Sequence, residues 1–337
     1  MRAILVGSGA VAVRSARQLL SSYSTSELVV FSRQPAKREV RVAMLGGSGV
    51  VSLEELTERR FVAALEGANV VLFTSPTPGR ALVMASLKAG VPVVSASDDP
   101  AAVRSLLALD AEAKERGLAI AVSAGMAPGL SCLLAAWAAG TMTEVSEVHV
   151  ATLGTGGPAC ARRRHAALRE AVDEWRDGTW VRKVASSGRE LVWFPGQWGF
   201  DCYRLNRPDA VLLTRAFPSL RWATTRAAAS RRDRLTSWLP MLRPPHPEGT
   251  VGAVRVEARG WKTGAADSVV VGASGRPALL AGAVMAAIAA RAADGHLQPG
   301  AGGLASLVAS PGELLAELSE RGVRIMVFEG AEPLPTW

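Results

Sequence analysis

The chain has 337 residues, a formal net charge of +8 and 49% hydrophobic residues. That length corresponds to about two domains, and the apolar fraction excludes a disordered chain. No apolar run reaches the roughly 20 residues of a membrane span, and with a strand reading at Ala3-Ile4-Leu5-Val6 no secretory leader is expected. The three cysteines, Cys132, Cys160 and Cys202, have no metal-ligand spacing. Neither a metal site nor a disulfide framework is expected, and the compartment expected is the cytoplasm. Basic residues cluster at Arg162–Arg164 and Arg226–Arg234. They point to anionic ligands, but no zinc-finger or RNA-recognition signature accompanies them, so nucleic acid is not an expected partner.

The first 125 residues or so alternate strand and helix. Ala3–Val6 reads as a strand and Val11–Leu20 as a helix. Glu27–Phe31 is a second strand, and Val40–Ala43 is read as a third. Leu53–Leu65 has helical spacing. Asn69–Phe73 is a strand, Ala81–Ala89 a helix, Val91–Val94 a strand, Pro100–Arg116 a helix and Leu118–Val122 a strand. Short apolar strands each followed by a helix indicate βαβ units and a parallel sheet covered on both faces. After Gly125-Met126-Ala127-Pro128-Gly129 an apolar helix opens. Glu144–Thr152 and Thr250–Arg259 then alternate as half-buried strands do, with another short strand at Asp267–Gly272, which predicts a second domain with a mostly antiparallel sheet. Ala278–Ala293 is a small-residue helix that allows close packing, including that of a homodimer. A helix at Pro311–Arg321 and a strand at Val323–Phe328 close the chain.

Gly7-Ser8-Gly9-Ala10-Val11-Ala12 has the form G-x-G-x-x-A between a strand and a helix. The first Gly permits a tight turn, and the second lets a pyrophosphate approach the backbone. The small third residue lets helix and strand pack closely. This predicts dinucleotide binding at the helix N-terminus by Gly7, Ser8, Gly9, Ala10 and Val11. At the end of the second strand, where an NAD site carries an acid, the chain has Phe31-Ser32-Arg33-Gln34, with Lys37 and Arg38 beyond. Ser32, Arg33 and Lys37 suit the 2′-phosphate of NADP(H). Thr74-Ser75-Pro76 and Ser95–Asp98 follow strands at the edge where such sheets bind ligands. They either line the nicotinamide pocket or cap helices.

The G-x-G-x-x-A turn, the loop Ser95-Ala96-Ser97-Asp98, the turn Ala124–Gly129 and the stretch Ala289–Gly302 occur in an order along the chain that resembles the saccharopine dehydrogenase-like oxidoreductases. The resemblance covers most of residues 1–135 and 278–325. It implies a Rossmann-type doubly wound parallel sheet (1–126), an inserted α+β substrate and dimerisation domain (127–277) and a C-terminal segment (278–337) that returns to the Rossmann domain. It also implies hydride transfer at a C–N or imine bond of a small carboxylated amine. An enoyl reductase acting on a chain borne by an acidic carrier protein, and a non-catalytic NADP(H)-binding sensor, are the other readings.

Hydride transfer leaves the protein a proton to handle. The candidates are Asp98 at the strand ends, His165 after the Arg run, and Tyr203 in the aromatic segment around Trp198 and Asp201. Arg162, Arg164 and Arg221 are candidates for a substrate-carboxylate clamp, from a pool that includes Arg163 and Arg226. Each has an ordinary alternative: a solvated basic face, a core aromatic or a helix cap.

Overall fold

A computed structural model describes residues 1–32, 51–196, 199–241, 244–247 and 249–328. The N-terminal part lays down β1 (Arg2–Val6), α1 (Ala10–Ser22), β2 (Glu27–Ser32), β3 (Val51–Glu55), α2 (Glu58–Ala64), β4 (Val70–Phe73) and α3 (Arg80–Lys88). It continues with β5 (Val93–Ser95), α4 (Pro100–Leu107), α5 (Asp110–Glu115) and β6 (Ala119–Ala121). The strands are parallel and ordered β3-β2-β1-β4-β5-β6. Strands such as Val70-Val71-Leu72-Phe73 are buried throughout, as a sheet covered by helices on both faces requires. The order reverses between β1 and β4, which opens a crevice at their carboxyl ends.

Two local expectations differ. The span Leu53–Leu65, read as one helix, begins as β3, because Leu28–Ser32 offer it a parallel ladder from Val51 to Glu55. The helix starts only after Thr57, whose hydroxyl accepts from the Arg60 amide at 3.3 Å. The span Pro100–Arg116 divides into α4 and α5 at Ala108-Leu109. The strand expected at Val40–Ala43 lies outside the described residues.

The second part contains α6 (Leu130–Ala139), β7 (Glu144–Leu153), α7 (Pro158–Ala167), β8 (Val172–Arg176), β9 (Thr179–Lys183), β10 (Glu190–Trp193) and β11 (Gly199–Arg204). Then come α8 (Asp209–Ala216), β12 (Trp222–Ala228), α9 (Arg231–Leu235), β13 (Gly252–Lys262) and β14 (Ala265–Gly275). Its sheet runs β10-β11-β12-β7-β13-β14, with β8 and β9 branching from β12. Only the β7–β12 pair in it is parallel. Alternate residues Val148, Val150, Val254, Val256 and Ala258 enter the main core, as the period of a half-buried sheet demands.

The chain then returns through α10 (Pro277–Ala293), β15 (Gly300–Gly302), α11 (Leu304–Leu307), α12 (Pro311–Glu320) and β16 (Arg324–Phe328). β15 extends the parallel sheet beside β6. The final strand does not stay with the Rossmann sheet as expected: β16 pairs antiparallel with β14 and closes the edge of the second sheet. The small-residue helix α10 is not a surface for a second copy. Residues from Ala278 to Ala292 are mostly buried within the chain, against α1, β4 and β5. A Cβ on Gly282 would stand 2.5 Å from Arg14 Cβ and 2.9 Å from the Ser15 amide. Gly282→Val must push α10 off α1, an overpacking cost of about 1–3 kcal/mol. Denaturant unfolding is expected to show a lowered midpoint with unchanged slope; an unchanged midpoint contradicts this packing.

Candidate active site

The crevice between β1 and β4 opens into a cleft of about 970 Å³ shared by both parts of the chain. Its floor is the glycine turn after β1. Gly7 has φ +134°, and a Cβ there would collide with Thr74 Oγ1. Thr74 Oγ1 in turn donates to the Val6 carbonyl at 3.2 Å, so the first glycine is required by the protein's own packing. Gly9 differs: its φ is −81°, and a Cβ there would meet nothing within 4 Å. Its missing side chain leaves open space over the start of α1, the cradle a pyrophosphate needs.

Four helices begin on the walls of this cleft: α1 after Gly9, α3 after Gly79, α7 after Gly157 and α10 at Pro277. None of the four has a side-chain cap. By contrast Thr57, Asp99 and Ser230 cap α2, α4 and α9. Uncapped N-termini present free amides and the positive end of the helix dipole, so the cleft suits an anion with several charges. Gly157 and Pro158 come from the second part of the chain. A Cβ on Gly157 would stand 3.3 Å from Ala10 Cβ, so the loop before α7 sits directly over the start of α1.

Among the expected dinucleotide contacts, Gly7, Ser8, Gly9, Ala10, Val11, Ser32, Thr74, Ser75 and Pro76 line the cleft. Ser95 does not. It is fully buried, and its hydroxyl accepts from the Ser97 amide at 3.1 Å, which shapes the loop after β5 from beneath. Ser97 Oγ donates to the Pro76 carbonyl and ties this loop to the one after β4. Glu54 and Glu55, opposite Phe31 and Ser32 in register, both lean on Arg60, at 3.5 and 4.0 Å. Arg33 and Lys37, like Trp198, lie outside the described residues.

The choice between cleft lining and helix capping at Asp98 is resolved by its neighbour. Asp99 Oδ1 accepts from the Ala102 amide at 2.8 Å and caps α4, whereas Asp98 lines the cleft. Asp98 Oδ1 is buried without a hydrogen-bond partner among the described residues. Burial holds its carboxyl above the usual carboxylate range, against the pull of the Arg207 and Arg163 guanidiniums. Arg163 itself is held by Glu170 at 2.7 Å and by Asp99 at 3.6 Å, and Asn206 Nδ2 donates to Glu170 at 2.9 Å. Cys160 stands in the same wall, its thiol pushed up to about 11 by burial and by Asp98.

Other candidates face elsewhere. His165 Nε2 lies 2.8 Å from the Leu239 carbonyl and is not part of the cleft lining. Tyr203 packs among Ala167, Leu168, Leu205, Ala227 and Ala229, with the Arg234 guanidinium 3.9 Å over its ring. Asp201 pairs with Arg189 at 2.9 Å, and Arg221 is a surface residue that donates to Asp177 at 3.0 Å. None of these four lines the cleft, so the proton and substrate roles expected for them are withdrawn. Arg162 and Arg164 do line it. Arg164 is occupied by the Ala228 carbonyl and Asp233, while Arg162 makes no ion pair among the described residues and is exposed. Arg226 is drawn off by Glu190 at 2.7 Å.

Arg207, Asn206 and Asp209 were not anticipated. Their only trace in the sequence is Arg207-Pro208-Asp209 ahead of the apolar run Ala210–Leu213, an acid where a helix starts.

A parallel sheet with a switch-point cleft is thus joined to a second, mostly antiparallel sheet. Among solved structures the chain is similar to saccharopine dehydrogenase (L-Glu forming) from Saccharomyces cerevisiae. The TM-score is 0.66 at 14% identity, over 97% of this chain and 100% of that one. It is also similar to the DAP dehydrogenase of C. glutamicum in complex with DAP, with a TM-score of 0.51 at 15% identity, over 95% and 98% of the two chains. At such identities the likeness is one of fold. No family model and no curated protein sequence matches the chain. Among the described residues no helix is long and apolar enough to cross a membrane.

Proposed function

We propose that the protein is an NADP(H)-dependent oxidoreductase that transfers hydride at the C–N bond of a small carboxylated amine. The observation that carries the reading is the convergence, in one cleft, of four uncapped helix N-termini, the open cradle over Gly9 and the unpartnered carboxyl oxygen of Asp98. A dinucleotide fits the residues present: Gly9 leaves room for the pyrophosphate, the amides of α1 receive it, and Ser32 lines the ribose end. When bound, the nicotinamide supplies or accepts the hydride.

The protein's own part is orientation and proton handling. Asp98 in its protonated form donates to the nitrogen of an imine as that nitrogen gains its electron pair. In the reverse direction its carboxylate receives the proton of a bound ammonium. Arg162, which lines the cleft and makes no ion pair among the described residues, takes the substrate carboxylate. The loops before α3 and α7 form walls of the site. NADP(H) is favoured over NAD(H) because Ser32 and Arg33, with Lys37 and Arg38 beyond, stand in the sequence at the end of β2, where an NAD site carries an acid. Residence in the cytoplasm accords with three free cysteines.

Loss of one charge-assisted contact to a phosphate is worth about 1.5–3 kcal/mol. Arg33→Ala is therefore expected to lower the NADPH-over-NADH binding preference by about 10-fold or more. Equal preference in wild type and variant would withdraw the NADP(H) assignment. The reaction class is tested by cofactor consumption with pairs of 2-oxo acids and amines. Turnover confined to substrates without nitrogen would contradict it.

A further inference from the structure

Arg207 lines the cleft together with the buried carboxyl of Asp98 and lies within ion-pair distance of a second one, Asp209, the first residue of α8, whose side chain is wholly buried. Arg207 Nε lies 3.7 Å from Asp209 Oδ2. Ser131 Oγ, from α6, donates to Asp209 Oδ1 at 2.7 Å. Asp209 does not line the cleft, so it touches neither substrate nor cofactor. Its neighbour Arg207 does line it.

We propose that Asp209 is a positioning residue that holds Arg207 and, by sharing its charge, governs whether Asp98 faces the cleft as an acid or as a carboxylate. This rests on the proton-handling role given to Asp98 above. The groups facing Asp98 are Arg207, Asp99 on its own loop, Arg163 and Cys160 on α7, and more remotely Asp209. With Glu170, which is paired to Arg163, the cluster has four carboxyl groups, Asp98, Asp99, Glu170 and Asp209, for two guanidiniums, Arg163 and Arg207. A buried cluster with more carboxylates than cations keeps a proton. Burial raises both Asp98 and Asp209, and Arg207 opposes that rise at both. While Asp209 shares the Arg207 charge, Asp98 retains its proton at higher pH. An ammonium group arriving in the cleft then supplies the missing positive charge, and Asp98 releases its proton.

The direction follows. Asp209→Asn preserves shape and leaves the Arg207 charge wholly to Asp98, so Asp98 becomes more acidic. The test is carbon-13 NMR of the full chain labelled at the aspartate carboxyls, with the Asp98 resonance assigned by its loss in Asp98→Asn. The Asp98 titration is expected to move down by about 1 pH unit or more in Asp209→Asn. In the reductive direction, where Asp98 must carry its proton, the alkaline limb of kcat/KM is expected to move down with it. Ser131→Ala, which removes the hydroxyl that favours charged Asp209, is expected to move the titration the same way by less. It serves as the second variant if Asp209→Asn folds poorly. An Asp98 titration that stays put or rises in the folded variants overturns the proposal, even if stability falls. A lowered titration in a protein whose turnover is indifferent to Asp98→Asn leaves the electrostatic link standing and removes the proposed function instead.

Discussion

Asp98→Asn is expected to lower kcat by about 100- to 10,000-fold, the range for loss of a positioned proton donor, while NADPH binding stays within about threefold. The separation follows from geometry. Asp98 stands on the loop after β5 and faces the cleft, whereas the glycine turn lies after β1. A merely structural Asp98 predicts the opposite pattern, with stability lost and chemistry retained. The sign of the stability effect can be worked out. The folded-state titration of Asp98 lies above its unfolded value. Its contribution is therefore favourable at low pH and is lost as pH rises through the folded-state value. Above that pH the wild-type carboxylate is a buried charge that Asn removes. Asp98→Asn is thus expected to gain stability relative to wild type as pH rises through the folded-state titration, as measured by denaturant titration across pH. A destabilised but fully active variant would show that the carboxyl serves the fold alone.

Gly9→Val is expected to leave the fold intact and remove cofactor binding. The backbone at Gly9, φ −81° and ψ −177°, is open to any L-residue, and a Cβ there touches nothing within 4 Å. Thermal or chemical unfolding is therefore expected to change by no more than about 1 kcal/mol, the scale of an N-cap substitution. A valine side chain nevertheless fills the space over the first amides of α1. Two lost charge-assisted hydrogen bonds at about 1.5–3 kcal/mol each correspond to a rise of about 100-fold or more in the NADPH Kd. Gly7→Val makes the contrasting control. Its φ of +134° and its collision with Thr74 Oγ1 mean that the same substitution two residues earlier damages the protein itself. Equal NADPH affinity in Gly9→Val and wild type would place the pyrophosphate elsewhere.

The parts of the site that were legible in the sequence are those made by neighbours in the chain. Gly7-Ser8-Gly9 is read from a strand, a turn and a helix within a dozen residues, and its geometry is local. Strand ends locate Thr74 and Asp98 for the same reason, since a parallel sheet gathers its carboxyl ends at one edge. Asp98 and Asp99 were indistinguishable by type, and only the turn into α4 determines which of them caps the helix. Arg207 and Asp209 were not legible, because they come from the entry to α8 about 110 residues further along the chain and no spacing rule links them to β5.

His165 and Tyr203 show the converse. Both are residue types suited to proton transfer, yet His165 meets a backbone carbonyl and Tyr203 is roofed by Arg234. Residue type proposes chemistry, but the side of the helix or sheet on which a side chain emerges decides it. The misread span at Leu53–Leu65 has a related cause. A helical spacing of apolar residues gave way to the ladder offered by β2, a partner that local periodicity does not reveal.

The central claim is that one cleft holds both the dinucleotide and the proton-handling carboxyl. It is tested most directly by rapid mixing of the NADPH-loaded wild-type protein, Asp98→Asn and Gly9→Val with a 2-oxo acid and amine pair found to be turned over. Absorbance of the reduced nicotinamide is the readout. The account predicts a fast loss of absorbance in wild type and a much slower loss in Asp98→Asn, despite full loading. In Gly9→Val it predicts no loss, because little cofactor is bound. Equal rates in wild type and Asp98→Asn, or full loading of Gly9→Val, would contradict it.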